Sequence, residues 1–111
     1  MNLSEIVSKL NLEILVEKNM DHNIEIGYVC DLLSEVMGKA KSDSIWITVH
    51  TNMNVIGVAS MLDIKAVVIA EGHLPNEEFL NRAKVEEIAI LSSKLNSFEI
   101  TGKLYENGVR G

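Results

Sequence analysis

Three short runs constrain the fold most: "SIWITV", "KAVVIA" and "IAIL", spread between Ser44 and Leu91 of the 111-residue chain. Each is almost wholly apolar or β-branched on consecutive positions, not on alternate ones. A strand that offers apolar side chains to both faces must be covered on both faces. That condition is met in a parallel sheet whose crossover helices pack above and below it. The intervening segments supply those helices. Val55 to Leu62 is an apolar helical stretch, and "NEEFLNRAKVEE" follows Pro75, the only proline. In the latter Asn76 is placed to cap, and Glu77 and Glu78 fall in the first turn, where the helix dipole favours them. The closing segment opens on "NSFE", with Asn96 and Glu99 at capping-box spacing. It is expected to turn Phe98, Thr101, Leu104 and Tyr105 inward and to stop at Gly108.

The first half follows a looser pattern. Leu3, Ile6, Val7 and Leu10 recur at helical spacing, with Ser4 as the cap and Asn11 as a left-handed stop. "LEILV" predicts a short strand and "NIEIGYV" a half-buried one that alternates Ile24, Ile26 and Tyr28 on one face, with "EKNMDHN" as the turn between them. Behind Asp31, which is placed to cap, Leu32, Leu33, Val36, Met37 and Ala40 form a helical stripe. The expected fold class is α/β, a three-layer α/β/α sandwich with a mainly parallel sheet of about five strands. The two strands before Cys30 have no helix between them, so the sheet is expected to be mixed on that side. A chain of this length suits one domain, residues 1–111.

Composition narrows the function classes. Hydrophobic residues make up 47% and charged residues 23%, the balance of a globular protein. No apolar run approaches a bilayer span, and "NLSEIVSKL" after Met1 has acidic and polar residues where a signal peptide needs a basic start and an apolar stretch. A soluble cytoplasmic protein is the expectation. The lone Cys30 has no partner for a disulfide, which fits a reducing compartment, and reads as a small packed side chain. The formal net charge is -6, the ten Lys and Arg are scattered singly, and five aromatics are present. Nucleic acid is therefore an unsuitable partner, because phosphate neutralisation needs clustered cations and base stacking needs aromatics.

Ligands of open α/β sheets sit outside the carboxyl ends of the strands. Reading those ends collects Cys30 and Asp31, then His50, Thr51, Asn52 and Asn54, then Glu71, Gly72 and His73, and finally Ser92 and Ser93. This edge is suited to an anion or a small polar ligand at helix N-termini. Capping accounts for Thr51, Asn52, Ser92 and Ser93 without any ligand. His50 is the residue that capping leaves unexplained. A metal set drawn from His50, His73, Glu71 and Cys30 lacks the helical His pair, HExxH or CxxC spacing of known sites, so no metal is expected. Phosphate-loop and dinucleotide motifs are also absent, since Gly27 falls in a strand and Gly57 in a helix. No cofactor is expected, and catalysis by Cys30 with a histidine base is the least supported reading. Tyr28 and Trp46, at mid-strand, are read as core.

The segments "MDHNIEIGYVCDLLSEVM", "IWITVHTNMNVIGVASMLD" and "ILSSKLNSFEITGKLYENG", in that order, resemble a DRTGG domain over essentially the whole chain. The likeness is closest to small stand-alone members of anaerobic bacteria, often encoded beside iron-hydrogenase and signalling genes. It extends to the N-terminal domain of HPr kinase/phosphorylase. The module also occurs beside CBS domains in regulated pyrophosphatases and in phosphate acetyltransferase-type proteins. The resemblance implies an HPr kinase N-terminal-domain-like sandwich and an accessory, non-catalytic role in regulation and self-association. A homodimer, with a small anionic ligand or a partner protein, is the expectation that follows. Of the name-giving motif, Asp21 and Gly27 match. His22 replaces the arginine, Glu25 the threonine and Ile26 the first glycine, and a largely neutral imidazole lacks the bidentate grip of a guanidinium. Asp21 and Gly27 are also explained by a turn and a close backbone approach. A nucleotide or anionic-metabolite sensor is the alternative function.

Overall fold

A computed structural model describes residues 1–111. Its elements are α1 (Leu3–Leu10), β1 (Glu13–Val16), β2 (Gly27–Val29), α2 (Leu33–Lys39), β3 (Ile45–Thr48), α3 (Asn54–Met61), β4 (Ala66–Ile69), α4 (Glu77–Val85), β5 (Ala89–Ser92) and α5 (Ser97–Glu106). The strands make one sheet in the order β1-β5-β4-β3-β2. Strands β2 to β5 are parallel, and β1 lies antiparallel to β5.

Each crossover from β2 to β5 steps the same way across the sheet, so α2, α3 and α4 share one face. Helices α1 and α5 pack together on the other. The apolar runs split between the two layers with the period of a strand. Ile45, Ile47, Ala66, Val68, Ala89 and Leu91 join the core under α1 and α5. Trp46, Val67, Ile69 and Ile90 join the opposite core with Val36, Val55 and Phe79. Every residue of β3, β4 and β5 is buried, which is why these runs tolerate no alternation. The three-layer α/β/α architecture and the mainly parallel five-stranded sheet are as the sequence led us to expect.

The mixed side of the sheet is not where the chain order suggested. β1 and β2, consecutive in sequence, lie at opposite edges, and β1 is mixed against β5. The segment 17–26 must therefore run along the amino edge of the parallel strands from one side to the other. Asn19 anchors it: in the left-handed conformation (φ 55°), its amide donates to the Lys65 carbonyl at 3.0 Å and the Glu87 carbonyl at 2.9 Å, at the feet of β4 and β5. Because this stretch is spent on crossing, only Gly27–Val29 of "NIEIGYV" pairs as a strand. Ile24 is nonetheless buried.

Three local expectations are corrected. The cap of α1 is Asn2, not Ser4: Asn2 Oδ1 accepts from the Glu5 N–H and Glu5 Oε1 from the Asn2 N–H, both at 2.9 Å. Asp31 does not cap α2, whose N-cap Leu32 makes no side-chain bond; its carboxylate turns to β3 instead. In α5, Phe98 is 83% and Tyr105 58% exposed, and Ile100 and Leu104 form the buried stripe. The helix carries two adjacent apolar stripes, and packing against α1 and β3 selects one of them. The caps Asn76 and Asn96 and the stops Asn11 and Gly108 (φ 97°) are where the sequence placed them.

Candidate ligand-binding edge

The parallel strands bring Val49 to Asn54, Ala70 to Leu74 and Ser92 to Leu95 to one edge. Loop geometry then divides the sequence-derived residues into separate groups.

The first group surrounds the β3–α3 join. Thr48, fully buried at the end of β3, donates its hydroxyl to Asp31 Oδ1 at 2.7 Å, and the same oxygen accepts the Val49 N–H at 2.9 Å. The His50 N–H donates back to Thr48 Oγ1 at 3.2 Å. This strap ties the end of β3 to the loop after β2 and fixes where the join leaves the sheet. Beyond it Asn52 Oδ1 accepts the Asn54 N–H at 2.8 Å, closing the turn into α3. His50, Thr51 and Asn52 line a shallow depression of about 520 Å³ together with Val49, Met53 and Asn76. His50 is exposed there, and its ring makes no hydrogen bond with the protein. Asn54 is the first residue of α3, outside the depression.

The second group lies across β5. Glu71 and Gly72 both have left-handed backbones (φ 58° and 69°) and lock the β4–α4 loop onto the β5–α5 loop. The Glu71 N–H donates to the Leu95 carbonyl at 2.8 Å, and the Gly72 N–H to the Ser93 carbonyl at 2.9 Å. This lock encloses one side of a cleft of about 680 Å³ containing Ser92, Ser93 and Gly72 with Lys9, Lys94 and Lys103. Ser92 is 5% exposed and reaches Glu13 Oε2 at 3.5 Å, on the β1 wall of the cleft. Ser93 Oγ accepts the Leu95 N–H at 3.1 Å, which leaves its own hydroxyl proton free to donate. His73 is exposed and lines neither hollow.

The motif residues fall at the opposite, amino edge. Asp21 is an exposed turn residue, and His22 Nε2 stands 3.3 Å from Asp43 Oδ1 before β3. Gly27 sits where a Cβ would come within 3.2 Å of Val109, the close approach its identity suggested. Asp21, His22 and Gly27 are thus separated by the length of a strand from His50 and Ser93. Cys30 is half-buried, and its carbonyl accepts the Trp46 indole N–H at 2.9 Å.

The lysines were missed in the sequence because positions 9, 94 and 103 have no spacing that announces proximity. They come from the end of α1, the β5–α5 loop and the last turn of α5. Only Lys94, directly after the serine pair at a strand end, carried a legible signal. The Asp31 strap was missed because a carboxylate before a helix is ordinarily assigned to that helix.

The DRTGG domain model matches residues 5–106 of the chain. No curated protein matches it. Among solved structures it is similar to the CBS and DRTGG domains of the regulatory region of Clostridium perfringens pyrophosphatase, complexed with the activator diadenosine tetraphosphate. The TM-score is 0.72 at 16% identity, over 93% of this chain and 45% of that one. The chain therefore spans a little under half of that regulatory region, and the likeness is one of fold. No helix is long and apolar enough to cross a membrane.

Proposed function

The chain belongs to the DRTGG domain family, and from that premise we propose that it is a non-catalytic regulatory or adaptor domain of the cytoplasm, acting through self-association and through what it binds. The carrying observation is that nearly the whole fold is shared with half of a regulatory region. A domain of this kind needs a face for a partner, and the β2 edge supplies the features of one. Val29 and Tyr105 border an apolar notch of about 110 Å³ beside this edge strand, together with Thr101, whose buried hydroxyl has no partner within the chain. Phe98 extends the same stripe of α5 one turn further. The Arg110 backbone bonds the start of this edge, with the Gly27 N–H donating to the Arg110 carbonyl at 2.8 Å, and the rest of the edge with its flanking side chains is a surface that a second copy covers.

Light scattering on the eluting protein tests this. The expected mass is twice the 12.3 kDa of one chain, and Phe98→Asp with Tyr105→Asp is expected to return it to one chain mass. A wild-type monomer at micromolar concentration would overturn the self-association reading. Turnover of a phosphorylated substrate that is abolished by His50→Ala or His73→Ala would overturn the non-catalytic one.

A second reading, a sensor of nucleotides or other anionic metabolites, is favoured by the cationic cleft at the carboxyl edge. The pyrophosphatase regulatory region, complexed with a dinucleoside polyphosphate, supplies a precedent. A ligand held at about a hundred times its dissociation constant stabilises by roughly 2.7 kcal/mol. A thermal-shift panel of nucleotides and phosphorylated metabolites is expected to show one clear rise in melting temperature, and a flat panel removes this reading.

A further inference from the structure

Four of the ten cationic side chains are engaged: Lys39, Lys65 and Arg82 pair with carboxylates, and Arg110 lies over the Tyr105 ring. The other six have no carboxylate within salt-bridge distance, and three of these, Lys9, Lys94 and Lys103, line one cleft. In a chain of net charge -6 this is a local reversal of sign. Helix dipoles account for Lys9 and Lys103 singly, since each stands in the last turn of its helix. They do not account for Lys94, which lies in a loop, nor for lysines of three elements lining one cleft. An anion bound in a cleft lined by three lysines is attracted by all of them.

The rest of the lining is that of a site for an organic anion. The Ser93 hydroxyl has a proton to donate, and the Lys94 backbone N–H has no acceptor within the protein. Leu10, Leu74 and Leu95 give the cleft an apolar wall, and its volume of about 680 Å³ falls within the range of small-molecule sites. Glu13, on the β1 side against Ser92, gives that part of the cleft a negative charge, so an anionic group is directed away from it and towards the lysines.

We propose that the cleft formed by Lys9, Lys94, Lys103 and Ser93 binds a small organic polyphosphate of mononucleotide size, with its phosphates on the three lysines and its uncharged part against the leucines. The proposal rests on the sensor reading and moves its site away from His50, to the opposite end of the carboxyl edge. Amide-resolved NMR titration with ATP, and separately with inorganic tripolyphosphate, tests it. ATP is expected to shift the amides of Leu10, Asn11, Ser93, Lys94 and Leu95. Lys94→Gln with Lys103→Gln is expected to weaken binding at least tenfold. Lys18→Gln with Lys84→Gln, which removes equal charge elsewhere, is expected to change it less than twofold. Well-dispersed spectra of both double variants establish that they are folded. ATP shifts confined to 49–54 would overturn the cleft assignment while leaving a sensor in place, and no shifts with either probe would overturn both. Equal weakening in the two double variants would reduce the binding to net charge, and binding of tripolyphosphate without ATP would overturn the nucleotide-sized ligand.

Discussion

Trp46→Ala is expected to lower the stability of the fold by about 3–5 kcal/mol, the cost of emptying a large aromatic site in a core that cannot fully collapse. Trp46 has no solvent exposure and packs in the layer between β3 and the helices α2 and α3, beside Val36, Val55, Ile56 and Val67. Its indole N–H is also the partner of the Cys30 carbonyl, at 2.9 Å. Truncation therefore leaves a cavity and removes one of the bonds that hold the end of β2 to β3, beside the Cys30 N–H to Ile47 carbonyl bond. For a small domain with roughly 5–15 kcal/mol in total, this is a large fraction of its stability. Urea denaturation measures it. A loss under about 1 kcal/mol would mean that the helices close over the vacancy and that Trp46 is not a fixed part of the layer. Trp46→Phe, which keeps most of the volume, is expected to lose less and to isolate the contribution of the indole N–H.

Asp31→Ala is expected to cost about 1–3 kcal/mol, the penalty for leaving a buried hydroxyl and a backbone N–H without their acceptor. The effect is to be felt at the β3–α3 join. Thr48 is fully buried, and its hydroxyl proton and the Val49 N–H both converge on the one carboxylate oxygen. At about 4–8 °C per kcal/mol for a domain somewhat smaller than this one, the change is visible in a melting curve. Hydrogen exchange locates it, with faster exchange expected at Val49 and His50 than in β4. Asp31→Asn retains an acceptor and is expected to lose less. In a double-mutant cycle with Thr48→Val a coupling of at least about 1 kcal/mol is expected. A coupling near zero would show that the strap forms without stabilising anything.

Much of the architecture was legible because burial on both faces leaves a mark on consecutive residues. Ile45 to Thr48, Ala66 to Ile69 and Ala89 to Ser92 are strands whose side chains enter two different cores, as runs of that kind do in a parallel sheet covered on both faces. Caps were legible at Asn76 and Asn96, each directly before its helix, whereas at α1 the adjacent Asn2 was passed over for Ser4, which lies inside the helix. The candidate edge was legible as a set of loops, since the carboxyl ends of parallel strands must lie together. Its division into a depression at His50 and a cationic cleft at Ser93 was not. That division depends on the left-handed lock at Glu71 and Gly72, which binds to the loop after β5 and is invisible in the order of residues.

What the sequence determined by itself is the set of elements, their layering and the family to which they belong, because periodicity and capping are properties of neighbouring residues. The tertiary structure alone decided which side chains meet. It placed β1 against β5 and sent 17–26 across the amino edge. It chose the Ile100 and Leu104 stripe of α5 over the one bearing Phe98. It turned Asp31 to Thr48 and gathered Lys9, Lys94 and Lys103 around one cleft. Such meetings join residues tens of positions apart, and their free energy comes from packing and desolvation in three dimensions, which no local pattern records.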